Sequence, residues 1–114
     1  MKKDILQEKA TAFAIQIMKF SKVLSQEFSI PLHQLIRSGI SIGANISEAH
    51  FAESKADFIH KLSIALKEAN ETKYWFYILS EVKASNTIKS LYDDSKELCA
   101  ILVASLKTLK SQNK

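Results

Sequence analysis

Apolar residues return along this chain in steps of three and four, and the pattern outlines four helices. The first is predicted over residues 4–26. Its seam is Leu6, Ala10, Phe13, Ile17, Phe20 and Leu24, a coiled-coil-like spacing, and Ala14, Ile15 and Met18 widen the core-facing side. Asp4 is placed to cap this helix, with Gln7 three residues on, as in a capping box. The stretch Phe28-Ser29-Ile30-Pro31 ends it and starts the second helix. Ser29 can cap there, and Pro31 suits a first turn, where a missing N–H is no loss. The second helix is expected to reach His50, with Leu32, Leu35, Ile36, Ile42, Ile46 and Ala49 on its apolar face. Gly39 and Gly43 fall on that face, four apart. A glycine inside a helix is about 0.5–1 kcal/mol less favourable than alanine, so two on one face predict a close helix–helix approach.

The turn His50-Phe51-Ala52-Glu53 leads into a third helix over 54–83, opened by Ser54 with Asp57 completing a second capping box. Such a helix is roughly 45 Å long at 1.5 Å per residue. Its seam is Phe58, Leu62, Ala65, Ala69, Thr72, Phe76 and Leu79. No breaker precedes Ser85-Asn86, and Asn86 or Thr87 is expected to cap a fourth helix carried by Ile88, Leu91, Leu98, Leu102 and Leu109, with Ile101 and Ala104 beside them. Short connections make sequential helices antiparallel neighbours. The fold class is therefore all-α, an antiparallel up-down-up-down four-helix bundle forming one domain over 1–114.

Composition narrows the function classes. A chain of 114 residues, 46% hydrophobic and 25% charged, can bury a core without staples. The single cysteine, Cys99, excludes an intramolecular disulfide, fits a reducing compartment and reads as a small hydrophobe on a helix. Charges return just after Ile5 and Leu6, so no secretory signal is expected. No apolar run approaches the roughly 20 residues of a membrane span, so the expectation is a cytoplasmic protein without a membrane role. The formal charge of +4 permits nucleic-acid binding without demanding it.

Chemistry-bearing side chains concentrate between Arg37 and Val82. Arg37, Ser41, Asn45 and Glu48 share one side of the second helix. On the third, Glu68, Glu71 and Trp75 continue a stripe that is apolar at Ile64, Ile78 and Val82. Carboxylates on such a stripe need partners or a contact between subunits. Arg37 and Asn45 are the available donors, and a structural polar network, within or between subunits, outweighs ligand binding or acid–base catalysis. Tyr74-Trp75-Phe76-Tyr77 covers the whole helix circumference, so some of these rings lie outside the core, at an interface or as stacking surfaces for bases. No catalytic residue, metal site or cofactor is expected. The pair Asp57-x-x-His60 stands alone against the repeated Glu-x-x-His of carboxylate-bridged metal bundles, and Asp57 is already explained as a capping residue.

Up-down topology gathers the start of the first helix, the turn between the second and third, and the end of the fourth. Lys2, Lys3, Lys55, Lys107, Lys110 and Lys114 converge there against Asp4, Glu53 and Asp57, which makes these lysines the candidate nucleic-acid contacts.

The central stretch resembles the 23S ribosomal RNA intervening-sequence proteins, a bacterial family of small four-helix bundles to which the accessory protein of diversity-generating retroelements also belongs. The resemblance rests on Arg37-Ser38, Ser41-Ile42, Asn45-Ile46-Ser47-Glu48, the Ser54-Lys55-x-Asp57-Phe58 helix start, and Ile64-Ala65-Leu66-Lys67-Glu68-Ala69-Asn70-Glu71-Thr72 with Tyr74-Trp75. Ala49-His50 departs from it, since many relatives carry glycine after the Asn-Ile-x-Glu element. The resemblance implies a homopentamer with positively charged surfaces, a non-enzymatic role around nucleic acid, and no catalytic residues. The sequence thus points to a homo-oligomeric bundle that binds RNA or DNA through backbone electrostatics. The rivals are a scaffold or adaptor for a protein partner and, more weakly, a carboxylate-dependent enzyme.

Overall fold

A computed structural model of the protein describes residues 4–27 and 32–112. Four α-helices account for most of them: α1 (Ile5–Glu27), α2 (His33–Ala49), α3 (Lys55–Val82) and α4 (Asn86–Ser111). Each packs on its neighbours in sequence, and α1 closes the ring against α4, in a molecule of 48 × 25 × 21 Å. Cross-helix contacts fix the directions. Asp4 meets His50 while Ile17 lies against Gly39; Arg37 meets Glu71 while Glu48 meets Lys61; Lys55 meets Gln112 while Asn70 meets Cys99. In each pair of helices one index rises as the other falls, so the arrangement is up-down-up-down.

The core follows the apolar seams. Ala10, Phe13, Ile17 and Leu24 of α1 meet Leu35, Ile42 and Ile46 of α2, and Leu62, Ala65, Ala69, Phe76 and Leu79 of α3 meet Ile88, Leu91, Leu98 and Leu102 of α4. Phe13 and Phe76 stack edge to face at 6.1 Å. Cys99 and Leu106 join the core of α4 beyond the expected seam. Ile15 and Met18 do not join that of α1. They are exposed, because α1 is covered closely only by α2 and its buried stripe is correspondingly narrow. Of the four consecutive aromatics, Phe76 is buried, Trp75 half-buried, and Tyr74 and Tyr77 exposed.

The helix starts show how local chemistry sets the boundaries. Asp4 Oδ1 accepts from the Gln7 N–H at 2.9 Å. Gln7 does not return the bond as a capping box requires; its amide crosses to α2 and donates to the Gly43 carbonyl at 3.1 Å. Ser54 caps α3 by accepting from the Asp57 N–H at 3.0 Å, and Asp57 accepts from the N–H of Glu53, one residue before the cap. At α4 the cap is Ser85, in extended geometry, accepting from the Ile88 N–H at 3.2 Å, so Asn86 and Thr87 are helical rather than capping. Ser29 and Pro31, expected to start α2, lie outside the described residues. Within them, Leu32 precedes α2 with no side-chain cap.

Both glycines of α2 are buried against α1, but they are not equivalent. A Cβ on Gly43 would stand 3.6 Å from the Ala10 Cβ, an ordinary contact. A Cβ on Gly39 would overlap Ile17 Cδ1, and Ile17 is itself fully buried. Gly43→Ala should therefore raise stability by about 0.5–1 kcal/mol, the helix-propensity gain, whereas Gly39→Ala should lower it by about 1 kcal/mol through overpacking. Chemical denaturation of the two variants checks this, and the reverse order would show the α1–α2 packing to be misassigned.

Candidate functional site

Two surfaces carry the polar residues singled out by sequence. On the α2–α3 face, antiparallel packing sets Arg37 opposite the Glu68–Glu71 turn of α3. Its guanidinium donates twice to Glu71, at 2.8 and 2.9 Å, and once to Glu68 at 3.0 Å, while Nε donates to Gln34 at 2.9 Å. Trp75 Nε1 reaches the same Glu71 carboxylate at 3.4 Å. The hydrogen bonds that Arg37 donates to Glu71 and then to Glu68 push its guanidinium above the ordinary value, so it is charged at any working pH. The side chains of Arg37 and Glu71 are 44% and 38% exposed and that of Glu68 only 13%, so the cluster lies at a boundary between protein and solvent.

The remaining α2 residues stand apart from this cluster. Asn45 donates to the Ser41 carbonyl of its own helix at 2.8 Å, and Glu48 faces Lys61 at 3.8 Å. Just beneath Arg37, the buried Thr72 hydroxyl donates to Ser38 Oγ at 2.8 Å, and Ser38 in turn reaches the Leu35 carbonyl at 3.1 Å. The apolar stripe continues past Trp75 into exposed Ile78 and Val82.

The second surface is the end of the bundle where α3 starts and α4 finishes. Lys55, Lys107 and Lys110 are exposed there, and Lys55 Nζ approaches Gln112 Oε1 at 3.5 Å. Lys2, Lys3 and Lys114 lie outside the described residues. Two acidic groups of this end serve structural tasks, while Glu53 is exposed. Asp4 caps α1 and holds His50 Nε2 at 2.5 Å, and Asp57 serves the start of α3. A cavity of about 490 Å³ opens between the helices, floored by Leu6, Ile46, Phe58 and Leu62, with Asp4 and His50 on its rim. Phe51, passed over in the sequence as a turn residue, follows His50 in the chain and is 85% exposed. Its signal was available: an aromatic between a helix end and a capping serine has no seam to join.

A third feature was not visible in the sequence. The α1–α4 seam opens into a groove of about 600 Å³ with Phe13, Phe20, Leu91 and Leu98 on its floor and Lys9, Asp94 and Glu97 along its edge. Lys9 bridges to Glu97 at 2.6 Å. Partial burial, reinforced by Glu97 and Asp93, pushes the Asp94 carboxyl above the usual carboxylate range. Burial likewise pushes the Cys99 thiol up, which makes it a poor nucleophile. Among the described residues no group of three or more His, Cys, Asp or Glu side chains could hold a metal ion, and no helix is long and apolar enough to cross a membrane.

The family model described as 23S rRNA-intervening sequence protein matches residues 2–104, and the chain belongs to that family. No curated protein matches the chain. Among solved structures, it is similar to a protein with unknown function from the S23 ribosomal protein family of Bacteroides thetaiotaomicron VPI-5482. The TM-score is 0.82 at 42% identity, over 90% of this chain and 99% of that one.

The Arg37 cluster yields a quantitative expectation. Because it is half exposed, its pair energies belong to the surface range rather than the several kcal/mol of a buried ion pair. A double-mutant cycle of Arg37→Ala and Glu71→Ala, read by thermal or denaturant unfolding, should give a coupling of about 0.5–1 kcal/mol that shrinks with added salt. Zero coupling at low salt would mean that the bidentate contact contributes nothing.

Proposed function

We propose that this member of the family is a non-enzymatic, cytoplasmic homo-oligomer that binds RNA or DNA through the electrostatics of its lysine-bearing end. The observation that carries the reading is the division of labour at that end. The carboxylates of Asp4 and Asp57 are engaged with helix starts and His50, while Lys55, Lys107 and Lys110 face solvent. Lysines act on phosphate as point charges and read no sequence, so binding is weakly sequence-selective and salt-dependent. Assembly multiplies the effect, since every copy brings a formal charge of +4. The α2–α3 face suits a subunit contact: it offers half-buried Trp75, exposed Ile78 and Val82, and a charged cluster that is only partly shielded in the protomer. A pentamer is the stoichiometry that the family resemblance supports.

The α1–α4 groove favours a second reading, a scaffold or adaptor that seats a protein partner on the floor of Phe13, Phe20, Leu91 and Leu98.

Two measurements separate the readings. Light scattering at micromolar concentration should return several times the 12.8 kDa chain mass, and Trp75→Ala should weaken assembly more than Cys99→Ser does. A monomer would remove the assembly half of the proposal. In fluorescence titrations with RNA and DNA, Lys107→Gln combined with Lys110→Gln should weaken all sequences alike and reduce the logarithmic salt slope by about 0.7–0.9 per lysine that contacts phosphate. Absence of binding at low salt, with the oligomer intact, would leave the adaptor reading.

A further inference from the structure

The most exposed large apolar side chain of the described residues stands at the lysine-bearing end. Phe51 is 85% exposed, although phenylalanine is among the residue types most often buried. Its backbone is tied on both sides. The N–H groups of His50, Phe51 and Ala52 donate to the carbonyls of Ser47, Glu48 and Ala49 at 3.2, 3.0 and 3.1 Å, a tightened continuation of α2. On the other side, the Glu53 N–H donates to Asp57 and Ser54 caps α3. The root of the ring is therefore held in place, and little backbone freedom is left to lose when the ring makes a contact.

Its surroundings decide what that contact is. Lys55 lies four residues on, at the first position of α3, and its contact with Gln112 brings the last turns of α4, with Lys107 and Lys110, to the same end. The facing acidic groups are Asp4, Glu53 and Asp57, of which Asp4 and Asp57 are engaged as described above. An exposed aromatic at the same end as exposed lysines is the combination by which proteins hold unpaired bases: the ring stacks on a base and the ammonium groups follow the phosphates. Duplex bases are already stacked on one another and offer no free face.

We propose that Phe51 is a base-stacking platform and that the preferred ligand is single-stranded nucleic acid rather than a duplex. The proposal rests on the nucleic-acid reading of the same end and adds the strandedness of the ligand. Stacking releases no counterions, so it alters affinity without altering the salt slope.

The test uses the full chain, a labelled single-stranded oligouridine RNA and an RNA duplex of equal length, each at low and physiological salt. Phe51→Ala should weaken single-strand binding about 5- to 100-fold, leave duplex affinity within about twofold, and keep both salt slopes. Phe51→Trp should restore or tighten single-strand binding. Equal losses on both ligands, or no loss on either, would overturn the stacking proposal while leaving the electrostatic reading intact. If Phe51→Ala instead lowers the oligomer mass, the ring belongs to a contact between copies and the proposal fails. If the parent protein binds neither RNA, the electrostatic reading fails and this one falls with it.

Discussion

Helix α2 is held between α1 and α3 by small side chains on both of its flanks, and the rest of the bundle is arranged around that fit. Toward α1, Gly39 leaves room for the tip of Ile17, and Gly43 leaves its carbonyl open to the amide of Gln7. Toward α3, Ser38 and Thr72 meet hydroxyl to hydroxyl within the core, beside Ala65 and Ala69. Close approach on both sides fixes the register. With Ser38 opposite Thr72, Arg37 faces Glu68 and Glu71, and with Gly39 opposite Ile17, the far end of α2 places His50 against Asp4. The same register delivers the turn that carries Phe51 to the end where α4 finishes. The α1–α4 seam stays partly open.

The four helices were legible because apolar periodicity is a one-dimensional record of which side is covered. Thr72 was readable as a core residue in spite of its hydroxyl, since it occupies a seam position and finds its partner in Ser38. Ile15 and Met18 were misread for the opposite reason: they are apolar and close to the seam, but coverage depends on how many helices pack on α1, which periodicity does not record. The cap of α4 was misplaced because Ser85, Asn86 and Thr87 are three cap-competent residues in a row. The N–H of Ile88, three residues beyond Ser85, selects among them. Gln7 has the spacing of a capping box, but a carbonyl on a neighbouring helix competes for its amide, and only the tertiary structure brings that competitor within reach.

The polar residues divide along the same line. Arg37, Glu68, Glu71 and Trp75 come together because two helical periodicities and one antiparallel register suffice to align them. Asn45 and Glu48 share a helix side with Arg37, but at later turns they meet the Ser41 carbonyl and Lys61. Topology alone gathered the lysines at one end. The engagement of Asp4 and Asp57, which ties two carboxylates of that end to backbone N–H groups, depends on which hydrogen bonds the helix starts make.

The central claim is that nucleic acid meets the protein at the end defined by the α2–α3 turn and the last turns of α4. Photo-crosslinking of a thiouridine-containing single-stranded RNA to the assembled protein, with attachment sites read by peptide mass spectrometry, tests it most directly. The account predicts crosslinks at or beside Phe51, Lys55, Lys107 and Lys110. Crosslinks concentrated along the α1–α4 groove, at Phe13, Phe20 or Leu91, would contradict it.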